Sequence, residues 1–337
     1  MLKQSYTPHI VAIGGGTGLS TMLRGLKRHT ENLTAIVTMA DDGGGSGKLR
    51  EDLGMLPPGD LRNCLVALAE AEPSMETLFK YRFESGSLRG QSIGNLIIAA
   101  MNGIYGSFEE AIRHAGEVLA ITGRVLPVTT QDIRMYACFS DGAQVLGESR
   151  IGSAKKQHNC RIERVSLVPE RVLPTESVLE SIERAEAIIL GPGSLYTSII
   201  PNLLVEGVAD AVRQSRAAKI YVCNVMGQPG ETEDYSAFDH VEALIKHAGE
   251  GIIDYCLVNT GTIEEAVLER YLKDGVGPVV VDRERFEKAG IRLICADLTN
   301  REGNLARHDA GRLAEAIMEF LRNKYTAVLE TTGNKRR

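Results

Sequence analysis

Two apolar runs in this chain each end in a glycine loop. Ile10-Val11-Ala12-Ile13 leads into Gly14-Gly15-Gly16-Thr17-Gly18, and Ala35-Ile36-Val37-Thr38-Met39 leads into Ala40-Asp41-Asp42-Gly43-Gly44-Gly45-Ser46-Gly47. Short continuous apolar runs bounded by turn signals read as strands buried on both faces, the kind found in parallel sheets. Open sheets of that kind bind ligands in the crevice beyond the carboxyl ends of their strands. Glycine there lets backbone N–H groups approach an oxyanion, and the helix expected from about Ser20 to His29 adds the positive end of its dipole. The expectation is a phosphorylated ligand held by Gly14, Gly15, Gly16, Thr17, Gly18, Gly43, Gly44 and Ser46.

Neither loop matches a standard nucleotide motif. Counted from Gly14, the last glycine of the dinucleotide fingerprint falls at Leu19. NAD is therefore the weaker candidate, although Asp41 follows Gly18 by 23 positions, near the spacing of a ribose-binding acid. A P-loop ending at Gly47-Lys48 would need glycine at Asp42 and a hydroxyl residue at Leu49. Asp41 and Asp42 form a carboxylate pair beside phosphate-type glycines, a pattern that suits Mg²⁺ bridging to ligand phosphates and equally suits the capping of a turn.

The chain has 337 residues, long enough for one elaborated domain or two, and its six cysteines show no metal-type spacing, so they read as reduced thiols. With a polar start and only a short apolar run behind it, neither a signal peptide nor a membrane helix is expected, and a cytoplasmic location follows. The net charge is −6, the basic residues are dispersed, and aromatics make up 5% with no tryptophan, which argues against nucleic acid as a partner.

Strand, loop and helix alternate along residues 1–123, with helices expected over Leu61–Glu70, N-capped by Asp60, over Leu96–Met101 and over Phe108–Ile121. Residues 124–172 change character to short alternating segments with turns such as Asp141-Gly142, an antiparallel insertion within the same domain. Alternation resumes over 173–325: Ala187–Leu190, Ile220–Cys223 and Tyr255–Val258 each precede a polar loop, a helix spans Ala310–Arg322, and 326–337 is left as a flexible tail. The fold class is α/β: a Rossmann-like, three-layer parallel sheet with a small antiparallel insertion. The apolar helical surface around Asn95–Met101 suits a homodimer.

Gly191-Pro192-Gly193-Ser194-Leu195 is not a nucleophile elbow, which would need serine at Gly193 and glycine at Leu195. It reads as an anion loop in which Gly191, Gly193 and Ser194 face a phosphate, or as a plain helix cap. Asn224 and Gln228 suit hydrogen bonding to a base or sugar, and Arg62, just inside a helix start, is placed to reach the crevice. Arg50 reads as a solvated helix residue, and the seven histidines as surface or core residues.

Taken in order, these motifs resemble one family, the bacterial gluconeogenesis factors related to the phospholactate transferases of deazaflavin coenzyme synthesis. The resemblance rests on Ile13–Gly18, Ala40–Gly44, Pro57-Pro58-Gly59-Asp60-Leu61-Arg62-Asn63, Ser92-Ile93-Gly94-Asn95-Leu96, the run Gly191–Leu204 and Cys223-Asn224-Val225-Met226. It implies a cytoplasmic regulatory protein that binds a UDP-sugar such as UDP-N-acetylglucosamine, is required for cell shape and growth on gluconeogenic carbon, and works with a protein partner in cell-wall synthesis. The alternative it implies is a Mg²⁺-dependent transferase that uses Asp41 and Asp42 as metal ligands. It also brings Asn95 into the site and matches Tyr271 and Arg307 to the tyrosine and arginine that hold the nucleotide sugar. Glycine stands here at positions 45 and 227, where the family usually has serine and threonine. Each change removes a ligand hydroxyl, so the resemblance carries binding further than it carries transfer.

Overall fold

The computed structural model describes residues 7–70, 73–158, 160–300 and 305–333. Its centre is a seven-stranded parallel sheet in the order β10-β9-β8-β7-β1-β2-β3. The strands are β1 (Ile10–Gly14), β2 (Leu33–Val37), β3 (Arg124–Pro127), β7 (Ala187–Leu190), β8 (Ala218–Val222), β9 (Tyr255–Asn259) and β10 (Arg292–Ala296). Every residue of β1, β2, β7 and β8 is buried, as continuous apolar runs covered on both faces require. The edge strand β10 keeps Arg292 and Cys295 exposed.

The helices between the strands are α1 (Gly16–Leu26), α2 (Gly44–Leu53), α3 (Gly59–Leu68), α4 (Pro73–Lys80), α5 (Ile93–Tyr105) and α6 (Phe108–Val118), then α7 (Glu148–His158) and α8 (Glu176–Arg184). After a π-helical turn at Leu195–Ile199 come α9 (Ile200–Leu203), α10 (Val208–Gln214), α11 (Ala237–Ala248), α12 (Glu265–Lys273), α13 (Arg283–Ala289) and α14 (Ala310–Gly333). α1 packs between α3 and α14. Its Leu19, Met22, Leu23 and Leu26 are fully buried at helical spacing, which is why the chain turns helical directly behind the glycines.

A second sheet, β5-β4-β6, is antiparallel: β4 (Arg134–Phe139) lies between β5 (Gln144–Leu146) and β6 (Ile162–Val168). Met135, Ala137 and Phe139 of β4 point inward and alternate with more exposed neighbours, the period-two pattern of a half-covered sheet.

Several expected boundaries move. Arg124–Pro127 pairs with β2 as the edge of the main sheet, so the antiparallel part begins at Arg134. α1 starts at Gly16 because the glycines themselves form its first turn, and α5 runs from Ile93, N-capped by Ser92, whose hydroxyl accepts from the Asn95 N–H at 3.2 Å. The helix expected over Phe108–Ile121 stops at Val118. Asp60 does not cap α3: it is the second helical residue, behind Pro58 at the cap position. The backbone of α14 remains helical to Gly333, through most of the expected tail, and 334–337 lie outside the described residues. On α5, Leu96, Ile97 and Met101 stay half-buried and Ile104 is 74% exposed.

Candidate functional site

From β1 the chain moves to β2 and β3 on one side of the sheet, then returns to build β7, β8, β9 and β10 on the other. The switch point lies between β1 and β7, and sheet topology places a ligand crevice at such a point. A cavity of about 340 Å³ sits there. It is lined by Gly15, Gly16, Thr17 and Gly18 after β1, by Gly193 and Ser194 after β7, by Asn224 and Gln228 after β8, and by Tyr271, Arg307 and His308.

The two glycine loops touch. A Cβ on Gly18 would stand 2.5 Å from the Pro192 carbonyl oxygen, so only glycine lets the first turn of α1 lie against the β7 loop. Asn202, fully buried in α9, donates its side-chain amide to the Gly14 carbonyl at 3.1 Å and to the Ser198 carbonyl at 2.8 Å. It thereby fixes the end of β1 to the helical turn after β7. Asn224 donates to the Gly193 carbonyl at 2.9 Å, which ties the β8 loop to the same place.

Arg307 and His308 are held beside the segment after β10: Thr299 and His308 form an antiparallel bridge, and the Asn300 N–H donates to the Arg307 carbonyl at 2.8 Å. His308 is buried and its Nε2 bonds the Cys223 carbonyl at 3.1 Å, so that nitrogen carries the proton. Burial lowers its pKa to about 4, and the ring beside the cavity is neutral at physiological pH. Arg307 is exposed, and its guanidinium has no carboxylate partner among the described residues. Tyr271 packs against the small apolar cluster of Val225, Met226, Val267 and Ala306.

The site is narrower than the sequence suggests. Gly14 and Gly191 are buried strand ends behind the cavity, while Asp41, Asp42, Gly43, Gly44, Ser46, Arg62 and Asn95 do not line it. These seven belong to the β2 side. Asp41 accepts from the Gly43 N–H at 2.9 Å, and Asp42 from the Ser149 N–H at the start of α7, also at 2.9 Å. Arg62, expected to reach the crevice, is buried and spends its guanidinium on the Ser92 hydroxyl at 2.5 Å and on Asn63 at 2.7 Å. Asn95 is buried behind Ser92, and its Oδ1 meets no donor among the described residues. Arg50 is likewise buried rather than solvated: it pairs with Asp132, the Ile133 carbonyl and the Asp41 carbonyl, so it pins the β2 loop to the antiparallel unit.

Two acids near this loop hold protons unusually tightly. Burial and the neighbouring Asp41 raise Asp60 to about 6, and its carboxylate accepts from the Gly16 N–H. Burial with Asp41 and Asp42 raises Glu148 to about 8. A Cβ on Gly15 would stand 2.7 Å from Asp60 Oδ2. The start of α1, which the sequence marks as a place for phosphate, is thus partly answered by the protein's own carboxyl group.

Sequence reasoning missed Glu231 and Asn202. Glu231 is buried and bonds Thr197, Gln228 and the Tyr196 N–H, yet in the sequence it stands in a polar turn, where acids are usually solvated. Only its place three residues after Gln228 marked it.

Residues 10–299 match the family model described as 2-phospho-L-lactate transferase CofD. A Thermoanaerobacterium thermosulfurigenes relative is 54% identical over 314 residues, covering 93% of this chain and 97% of its own. The gluconeogenesis factor of Bacillus subtilis is 45% identical over 316 residues, covering 94% of this chain and 98% of its own. The crystal structure of a Bacillus halodurans protein superposes with a TM-score of 0.89 at 45% identity, covering 93% of this chain and 100% of that one. On fold, loops and near full-length identity, the chain belongs to the gluconeogenesis factor family and carries a CofD-type domain.

Proposed function

We propose that the protein binds a nucleotide sugar, a UDP-sugar of the UDP-N-acetylglucosamine type, in the cavity between the β1 and β7 loops. In this reading it acts as a regulator of cell shape and of growth on gluconeogenic carbon, through a partner in wall synthesis, rather than by turnover. One observation carries the ligand class: none of the described residues lining the cavity bears a carboxylate, while glycine backbone, hydroxyl groups and Arg307, which has no carboxylate partner among the described residues, converge on it. A diphosphate suits that set, because a guanidinium and backbone N–H groups offer only donors. Tyr271 offers an aromatic face for a uracil ring.

The test is calorimetric titration with UDP-N-acetylglucosamine on wild type, Arg307→Ala and Tyr271→Ala, with NAD as competitor. Loss of a charge-assisted contact weakens binding by about 1.5–3 kcal/mol, roughly 10- to 100-fold. No saturable binding to wild type, or equal affinity in Arg307→Ala, refutes the reading.

A transferase is the second reading, supported by the family model's description. Asp41 and Asp42 would hold Mg²⁺, since each keeps one carboxylate oxygen without a hydrogen bond among the described residues, and the metal would supply charge neutralisation at a ligand phosphate. Against it, both aspartates stand outside the cavity lining, and the described residues contain no group of three side chains arranged to hold a metal. Mg²⁺-dependent consumption of a nucleotide-linked substrate would decide in its favour.

A further inference from the structure

A buried acid lies behind the cavity without lining it. Glu231 is 4% exposed, and both of its carboxylate oxygens are spent on the β7 loop. Oε2 accepts from the Tyr196 N–H at 3.2 Å, and Oε1 accepts from the Thr197 hydroxyl at 3.1 Å. Gln228 spans the gap to the cavity: its Nε2 donates to Glu231 Oε1 at 2.9 Å and to Ser194 Oγ at 2.6 Å. Ser194 is thus tied to Glu231 through Gln228, and its nearby hydroxyl helps hold the Glu231 pKa down. Ser194 and Gln228 are cavity residues, so Glu231 holds the inner surface of the cradle from the rear.

We infer that Glu231 is the positioning residue of this anion cradle, and that its protonation decides whether the Ser194 hydroxyl points back into the protein or forward to the ligand. The inference rests on reading the cavity as a diphosphate site. A charged Glu231 draws the Ser194 O–H to itself and adds a negative charge behind the cradle. A neutral Glu231 no longer needs that donor, and the hydroxyl is released toward a phosphate oxygen. Ligand and proton therefore favour each other, and binding takes up a proton.

The surroundings set this exchange near neutrality. Burial raises Glu231 to about 7 against the hydrogen bonds from Thr197 and Tyr196 and the nearby Ser194 hydroxyl. Glu233, paired with Lys155, stands on the same turn and raises it further. Glu148 of α7 and the Tyr196 phenol also feel its charge. Asp60 and Glu148 titrate near neutrality on the β2 side, so the isosteric variant Glu231→Gln is what assigns the proton.

The experiment is calorimetric titration of the full chain with UDP-N-acetylglucosamine at about pH 6 and about pH 8, either side of the Glu231 value, in buffers of different ionisation heat. A sugar diphosphate diester has no group that titrates in this window. Wild type is expected to take up a proton and to lose affinity by up to about tenfold per pH unit above neutrality. Glu231→Gln is expected to lose that uptake and to flatten the affinity to within about twofold. Ser194→Ala, which leaves the buried acid in place, is expected to weaken binding at about pH 6 and to leave it within about twofold at about pH 8. The inference is overturned if Glu231→Gln keeps the wild-type uptake and slope, or if Ser194→Ala weakens binding equally at both pH values. Wild type that binds at neither pH overturns the diphosphate reading itself, an outcome distinct from binding that is insensitive to Glu231.

Discussion

Asp60 offers the sharpest quantitative test of the β1 loop. Its carboxyl group faces the Gly15-Gly16 turn, and burial together with Asp41 raises its pKa from 3.8 to about 6. An acid whose folded-state value lies above its unfolded value contributes stability that is fully present below the unfolded value and is lost as pH rises through the folded one. The loss therefore falls between about pH 4 and about pH 6. A change from 3.8 to about 6 corresponds to about 3 kcal/mol. The residue keeps part of its surface in water, and solvent screening reduces this to about 1–2 kcal/mol. Asp60→Asn preserves the shape and an acceptor for the Gly16 N–H but cannot ionise. It is expected to be more stable than wild type by about 1–2 kcal/mol at about pH 8, and equal to it within about 0.5 kcal/mol at about pH 4. Urea unfolding followed by circular dichroism at both pH values gives the difference as a shift in midpoint at unchanged slope. A variant less stable than wild type at about pH 8, or more stable by the same amount at both, refutes the argument.

Three further outcomes follow from the same loops. Gly18→Ala puts a methyl group against the Pro192 carbonyl, so it is expected to cost about 1–3 kcal/mol in denaturant unfolding and to weaken ligand binding in the same titration. Asn202→Ala removes two donors to buried carbonyls and is expected to cost about 2–4 kcal/mol, with greater protease sensitivity near Ser198; a loss below about 0.5 kcal/mol would show that the two loops hold together without it. His308 has a folded-state pKa of about 4 against 6.5, and a depressed base contributes stability that is full above 6.5 and declines as pH falls toward 4. His308→Gln, which keeps a donor for the Cys223 carbonyl, is expected to lose less stability than wild type over that window in pH-dependent unfolding.

Much of the fold was legible because the strands are uniform in character. Ile10–Ile13, Ala187–Leu190 and Ile220–Val222 are buried throughout, as strands of a parallel sheet covered on both faces are. The antiparallel unit was legible for the complementary reason, since Met135, Ala137 and Phe139 alternate with more polar positions. Strand order was not legible, and the site depends on it. Sequence proximity suggests that the loops of β1 and β2 share a crevice, whereas the chain places β7 on the free side of β1 and opens the cavity there. That ordering divides the residues sharing a glycine-loop appearance into two groups. Gly15–Gly18 with Gly193 and Ser194 form a surface of donors, Asp60 sits behind it on the Gly16 N–H, and Asp41, Asp42 and Glu148 lie together on the β2 side. Had those three acids lined the cavity, their charge would repel a diphosphate; on the β2 side, they leave Arg307 as the one charged side chain among the described lining residues. Glu231 was hidden for a related reason. In sequence, an acid in a Gln-Pro-Gly-Glu turn looks the same whether solvated or buried, and only the adjacency of β7 and β8 carries it beneath Ser194. The glycine at 227 gains a structural reason from the same turn: a Cβ there would stand 3.0 Å from the Glu233 carbonyl, so the tight packing that buries Glu231 disfavours a larger residue such as threonine.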